Sequence, residues 1–274
     1  MPPHAKVHVI SGLPRSGSTL LSALLRQNPR FHAGVSSPAC SLMTAVLPRM
    51  SGTAEFAPFF DEERRGRVLR SLFWAYHDTP PEDGVLFDTN RSWTARMGLV
   101  DRLFPSARVI CCVRDVPWVI DSMEAMVRRN PTHTSRTFDA KVARNIYGRV
   151  EQWMEPQRGL IGAAWSSLRE AWFGEHANKL VVVRYESLTR QSRETMDQLY
   201  QALGEASFQH DFDNVLYDEE QYDAGLGTPG LHTVRRQVAF VERPTILPPD
   251  IFCQYADNAF WLNEKLNAKR VLVI

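Results

Sequence analysis

The stretch Gly12-Leu-Pro-Arg-Ser-Gly17-Ser18-Thr19 constrains this chain more than any other feature. It follows Lys6–Ser11, a β-branched run suited to a buried strand. It precedes Leu20, Leu21, Leu24 and Leu25, which share one side of a helix that Pro29 ends. The spacing is G-x-x-x-x-G-x-[ST], set between strand and helix, the context in which a phosphate loop has physical meaning. Free N–H groups and the positive dipole end of the helix stabilise an oxyanion, and glycines let the backbone approach it. Ser18 stands where a triphosphate-binding loop needs its lysine, so the nearby cation is Arg15, inside the loop.

The rest of the chain alternates strands with helices. Glu63–His77 keeps helical spacing through Val68, Leu69, Leu72, Phe73 and Tyr76. Val85–Phe87 and Arg108–Val113 read as buried strands. Pro117 suits the first turn of a helix carrying Val119, Ile120 and Met123. Val142, Ile146, Val150 and Trp153 mark a helix stopped by Pro156, and Ile161, Trp165, Leu168 and Trp172 mark the next. Lys179–Arg184 is a fourth strand, with a helix over Arg193–Leu203 behind it. This order predicts one α/β domain over residues 1–274, a parallel sheet with helices on both faces. In such sheets ligands bind beyond the carboxyl ends of the strands, where each motif falls.

Charge narrows the function classes. Lys+Arg 32 against Asp+Glu 31 gives a net charge of +1, which argues against a nucleic-acid binder but allows a local basic pocket. No apolar run reaches the roughly 18 residues of a membrane span, and the N-terminus lacks the apolar core of a signal peptide. A cytoplasmic protein is the expectation. The four cysteines lack metal-type spacing; adjacent Cys111 and Cys112 point to opposite faces of a strand, and reduced core thiols are expected.

Two further signatures follow strands. Arg114-Asp115 opens the turn after Arg108–Val113, and Ser122 comes two helical turns along, an arrangement able to hold one phosphate from two sides. Arg184-Tyr185-Glu186-Ser187-Leu188 closes the Lys179–Arg184 strand. With the loop Leu13–Leu21, these segments resemble three motifs of sulfotransferases that use 3′-phosphoadenosine-5′-phosphosulfate (PAPS). The form Pro-Arg-Ser-Gly-Ser-Thr-Leu, then Asn28-Pro29, is similar to tyrosylprotein sulfotransferases and their bacterial relatives, as is the span from Arg102-Leu-Phe-Pro105 to Asp121-Ser-Met123. The resemblance runs from residue 6 to about residue 203, with an echo at Gly230–Val238. It implies that Arg15, Ser16, Gly17, Ser18 and Thr19 hold the 5′-phosphosulfate. By the same resemblance Arg114 and Ser122 hold the 3′-phosphate, Tyr185 contacts the nucleotide, and Leu231–Arg236 forms a flap with Thr233 and Arg236 on the co-substrate. The implied acceptor is a hydroxyl, foremost a peptide tyrosine; sugars, lipids and small phenols are the alternatives.

Sulfuryl transfer is an in-line displacement helped by positioned cations, as phosphoryl transfer is. Arg15 is the candidate for that role, and with arginines to neutralise charge no metal is needed. The acceptor hydroxyl needs a base. The glutamate that the resembling family carries just beyond a glycine is absent, because the stretch reads Gly34-Val35-Ser36-Ser37. Asp88, at a strand end, is the candidate base, with His32 behind it; by the resemblance, the basic residue that the family carries after its second strand corresponds to Arg91. A helix cap or a partner to Arg91 is the competing reading of Asp88. Trp74, Trp93, Trp118 and Tyr76 are candidates for an acceptor cleft or for the core. Two other functions stay open: a P-loop kinase or hydrolase, with Val85-Leu-Phe-Asp88 as its acidic strand, and an inactive nucleotide-binding module.

Overall fold

Residues 7–12 of the first strand are all buried, which sets that strand at the centre of a sheet covered on both sides. The computed structural model describes residues 5–77, 83–129, 137–141, 143–225, 227 and 229–274. In chain order the first elements are β1 (Lys6–Gly12), α1 (Ser18–Leu25), β2 (Phe31–Ala33), α2 (Ala39–Val46), α3 (Glu62–Tyr76) and β3 (Val85–Thr89). Next come α4 (Met97–Leu103), β4 (Val109–Val113), α5 (Val116–Arg129), α6 (Ile146–Met154) and α7 (Gly162–Phe173). The last are β5 (Leu180–Arg184), α8 (Tyr185–Arg190), α9 (Ser192–Leu203), α10 (Glu220–Gly225), α11 (Pro249–Tyr255) and β6 (Leu272–Val273).

The six strands pair in the order β2-β3-β1-β4-β5-β6, and every pairing is parallel. Successive strand residues face opposite ways, so Val9, Leu86, Val109, Cys111 and Val182 join one apolar cluster with residues of α2 to α7. Ile10, Phe87, Ile110, Cys112 and Val183 join another with α1, α8 and α9. Cys111 and Cys112 thus lie on opposite faces as expected. Cys253 departs from the core-thiol reading, being exposed on α11.

The four strands and their helices fall where periodicity places them, with local extensions. Val85–Phe87 lengthens to Thr89 because Asp88 and Thr89, although polar, pair with Val9 and Ile10 of β1. Asp61 caps α3 by accepting from the Arg64 amide at 2.7 Å. Val142 lies outside the described residues; the helix expected there begins at Ile146, with Asn145 as its cap. The short edge strands β2 and β6, and α8, which follows β5 without a loop, carry too few residues to show a period.

Two buried carboxylates of α5 fix the elements around it. Asp121 accepts from Arg243, from the Thr245 hydroxyl at 2.8 Å and from the Ile246 amide at 2.8 Å, which ties the C-terminal segment down. Glu124 accepts from Arg149 of α6 and from Arg128. α5 is therefore held on two sides, and Ser122 between these anchors has a fixed place.

The tightest backbone approach is at the end of β1. Gly12 has φ +122°, and a Cβ there would lie 2.1 Å from the Cys112 carbonyl oxygen and 2.6 Å from its nitrogen. Gly12→Ala is expected to cost at least about 3 kcal/mol, since left-handed strain and a backbone clash add. Urea denaturation measures it; a loss below about 1 kcal/mol would mean that β1 and β4 separate easily here.

Candidate active site

The loop after β1 is strapped to the end of β4. The Leu13 amide donates to the Cys112 carbonyl at 3.0 Å, and the Ser16 hydroxyl reaches the same carbonyl at 2.9 Å as well as that of Leu13. Arg15 takes the left-handed conformation, φ 58°, and Gly17, φ 94°, caps α1. Ser18 and Thr19, the first residues of α1, are half-buried at its N-terminus. The loop aims Arg15 across to α5, where its Nε donates to the Ser122 hydroxyl at 3.2 Å, while another guanidinium nitrogen donates to the Leu231 carbonyl. Sequence places these partners far apart; the fold brings loop, α5 and flap to one guanidinium.

Arg114, just past β4, lays its guanidinium over the Tyr185 ring, 4.2 Å from the centroid. Its Nε is buried and has no hydrogen-bond partner. Tyr185 also closes on the loop, since a Cβ on Gly17 would lie 3.1 Å from its ring. Burial, and then the neighbouring Arg114, lower the Arg15 pKa; burial likewise lowers that of Arg114. Neither arginine forms an ion pair with a carboxylate among the described residues. Two desolvated cations beside a helix N-terminus, one with an unused donor, make a site that an anion would stabilise.

The residues after β3 are held against the same end of the sheet. The Asn90 amide donates to the Ile10 carbonyl at 2.9 Å, and the Ser11 hydroxyl to the Arg91 carbonyl at 2.8 Å. Arg91 is thereby stationed beyond the carboxyl end of β1, within electrostatic reach of Tyr222 and His232. Asp88 is placed otherwise than expected. It is 1% exposed rather than facing a crevice, and its two oxygens accept from Trp93 Nε1 at 2.5 Å and bond His77 Nε2 at 2.7 Å. Neither a helix cap nor a partner to Arg91, it braces α3 against the turn after β3. His32 is exposed on β2.

The flap docks on the segment before α10. Val215 and Val238 amides donate to the Arg236 and Phe212 carbonyls at 2.7 and 2.8 Å, and Arg236 Nε donates to Asn214 at 2.6 Å. Arg236 is thus engaged by the flap's own support, and Thr233 is exposed. The flap touches the loop through the Leu231 carbonyl instead. Of the candidate aromatic residues, Trp93 is fully buried, Trp74 packs edge-on against Phe73, and Trp118 packs on Phe252. Tyr76 is exposed and lies near Ser37 and Tyr222.

Sequence reasoning missed Asp223. Its buried carboxylate accepts from the His232 backbone amide at 2.8 Å and pairs with His232 Nδ1 at 2.5 Å. No spacing rule links these residues, nine positions apart in the sequence; the fold brings them together.

A strand, a loop of phosphate-loop spacing and a helix stand at the carboxyl end of a parallel sheet, with a second arginine after the neighbouring strand, where ligands bind in folds of this class. The model of the sulfotransferase family matches residues 9–210, and the chain belongs to that family. A sulfotransferase from Alicyclobacillus acidocaldarius superposes with a TM-score of 0.50 at 16% identity, over 81% of this chain and 90% of that one. The sulfotransferase domain of a Synechococcus olefin synthase gives 0.43 at 18% identity over 93% and 94% of the two chains. A Mycobacterium avium sulfotransferase gives 0.44 at 14% identity, over 74% of this chain and 65% of that one. No curated protein matches the chain. Among the described residues no helix is long and apolar enough to cross a membrane.

The Asp88 brace has a direct test. Asp88→Ala strands Trp93 Nε1 and His77 without their partner, at a cost of about 2–5 kcal/mol. The melting temperature should fall by several degrees while affinity for 3′-phosphoadenosine-5′-phosphate (PAP) is kept. An unchanged melting temperature would show that the brace is not structural.

Proposed function

We propose that the protein transfers the sulfuryl group of PAPS to a phenolic hydroxyl, with a tyrosine of a peptide as the acceptor. The observation that carries the first half is the buried, unpartnered Nε of Arg114, set against Tyr185 beside the Arg15 loop. An unused donor on a desolvated cation favours a bound phosphate, and a family of PAPS users supplies one at the 3′ position. PAPS, when bound, would supply the sulfuryl group, and PAP would leave with the electron pair of the broken sulfur–oxygen bond.

The residues divide the work. Ser16, Gly17, Ser18 and Thr19 present the N-terminus of α1 to the 5′-phosphosulfate, and Arg15 meets the charge that grows on the transferring and leaving oxygens. Arg114 and Ser122 hold the 3′-phosphate, and Tyr185 packs against the nucleotide. Because Ser122 accepts from Arg15, the two phosphate positions share one hydrogen-bonded pair, which couples recognition of the 3′-phosphate to the placing of Arg15. Arg91 adds charge on the acceptor side. The flap closes on the loop through the Leu231 carbonyl, with Arg236 holding it to Asn214 from behind. The exposed rings of Tyr76 and Tyr222 favour an aromatic acceptor entering near Arg91. Ser18 in the lysine position disfavours the kinase reading, since no ammonium is there to bridge terminal phosphates.

PAP should raise the melting temperature without metal, and more than ADP does. At 100 times its Kd a ligand adds about 2.7 kcal/mol, some 5–10 °C for a chain of this size. Equal shifts from PAP and ADP would remove the 3′-phosphate site, and Arg114→Ala should erase the difference between them.

Turnover with labelled PAPS and an acceptor panel of tyrosine peptide, 2-naphthol and a sugar alcohol tests the transfer itself. Arg15→Ala should lower kcat about 100- to 1000-fold while weakening PAP binding much less. Survival of turnover within a few-fold would leave Arg15 a loop residue only.

A further inference from the structure

The family glutamate is absent after Gly34, both oxygens of Asp88 are engaged, and His32 lies exposed on the edge strand β2, so the acceptor proton needs another destination. The flap offers one. Asp223 is 1% exposed, and its two oxygens hold the His232 backbone amide at 2.8 Å and the His232 Nδ1 at 2.5 Å. Backbone and ring are therefore fixed by the same carboxylate. A carboxylate on Nδ1 selects the tautomer with the proton there, so Nε2 carries the lone pair. Among the described residues no hydrogen bond occupies that nitrogen.

The dyad stands beside the transfer site. Arg15, which reaches for the leaving oxygens, donates to the carbonyl of Leu231, the residue directly before His232. Arg15 and Arg91 both act electrostatically on the imidazole, Asp223 acts on Arg15, and the Tyr222 ring lies 5.4 Å from that of His232. The groups that face His232 are thus Asp223 and Tyr222 from α10, Arg15 from the phosphate loop and Arg91 from the turn after β3.

We infer that His232, oriented by Asp223, is the general base that takes the proton from the acceptor hydroxyl; the role rests on the PAPS reading above. As the acceptor oxygen–sulfur bond forms, the proton passes to His232 Nε2. The sulfur–oxygen bond to the 5′-phosphate breaks, and its electron pair leaves with PAP. Asp223 then stabilises the imidazolium, and the proton is released to solvent after the sulfate ester departs.

Electrostatics give the base its working form. Burial is the largest cause that lowers the His232 pKa below 6.5, the two arginines lower it further, and Asp223 opposes them. The lowered pKa favours the neutral ring that can accept a proton. Because Arg15 repels the imidazolium, a 5′-phosphate bound at Arg15 relieves that repulsion, so PAP should raise the His232 pKa. His232 also sits in the segment that closes on Arg15, and so arrives with the flap.

Nitrogen-15 NMR of the full chain tests the dyad without turnover. The expected result is the Nδ1–H tautomer, a titration midpoint below 6.5 in the free protein, and an upward shift when PAP is added. An Nε2–H tautomer, a midpoint at or above 6.5, or a His232 signal indifferent to bound PAP would overturn the proposal. In the acceptor assay, His232→Gln should reduce turnover about 100-fold or more with PAP affinity and melting temperature kept. Asp223→Asn should reduce it less and disturb the tautomer. The kcat/KM of the wild type should rise with pH through the free-protein midpoint. Full activity in His232→Gln sinks the dyad alone. Failure of the wild-type protein to bind PAP sinks the transferase reading itself, and the base with it.

Discussion

Everything at the candidate site depends on how closely the backbone of Gly12 meets that of Cys112. The absence of a side chain at Gly12 lets the loop after β1 lie over the end of β4, where one carbonyl receives both the Leu13 amide and the Ser16 hydroxyl. From that anchorage Arg15 turns toward α5 and the flap. A loop raised by even a methyl group would lose its contact with β4 and carry Arg15 away from Ser122. The glycine is thus a packing requirement before it is a binding feature.

The second governing feature is uncompensated charge. Burial lowers the pKa of both Arg15 and Arg114, Arg114 lowers that of Arg15 further, and among the described residues neither forms an ion pair with a carboxylate. The chain has acidic groups to spare, yet Asp121 and Glu124 on the adjacent helix are directed to Arg243, Arg128 and Arg149. These carboxylates hold the scaffold of α5 and leave the site positive. Such an arrangement carries an electrostatic cost that a bound polyanion would offset.

Much of this was legible in the sequence, and the exceptions have physical reasons. Strong periodicity announced β1, β4, β5 and the helices α1, α3 and α9, and the loop spacing placed Gly17 and Arg15 where the fold has them. The strands β2 and β6 were not legible, because two or three residues at a sheet edge show no alternation. Asp88 looked like a site residue since a carboxylate at the end of a strand usually faces the ligand. Pleat parity turns it instead toward α3, on the same face as Leu86, where His77 and Trp93 meet it. The Asp223–His232 pair was invisible for another reason, since it joins the short helix α10, with too few residues to show a period, to a flap residue outside any regular element.

The most direct test of the central claim is a crystal structure of the protein with PAP bound. The 3′-phosphate is expected against Arg114 and Ser122, with the buried Nε of Arg114 donating to it, and the 5′-phosphate at the N-terminus of α1 beside Arg15. PAP found elsewhere, or bound with the Arg114 Nε still unpartnered, would contradict that claim.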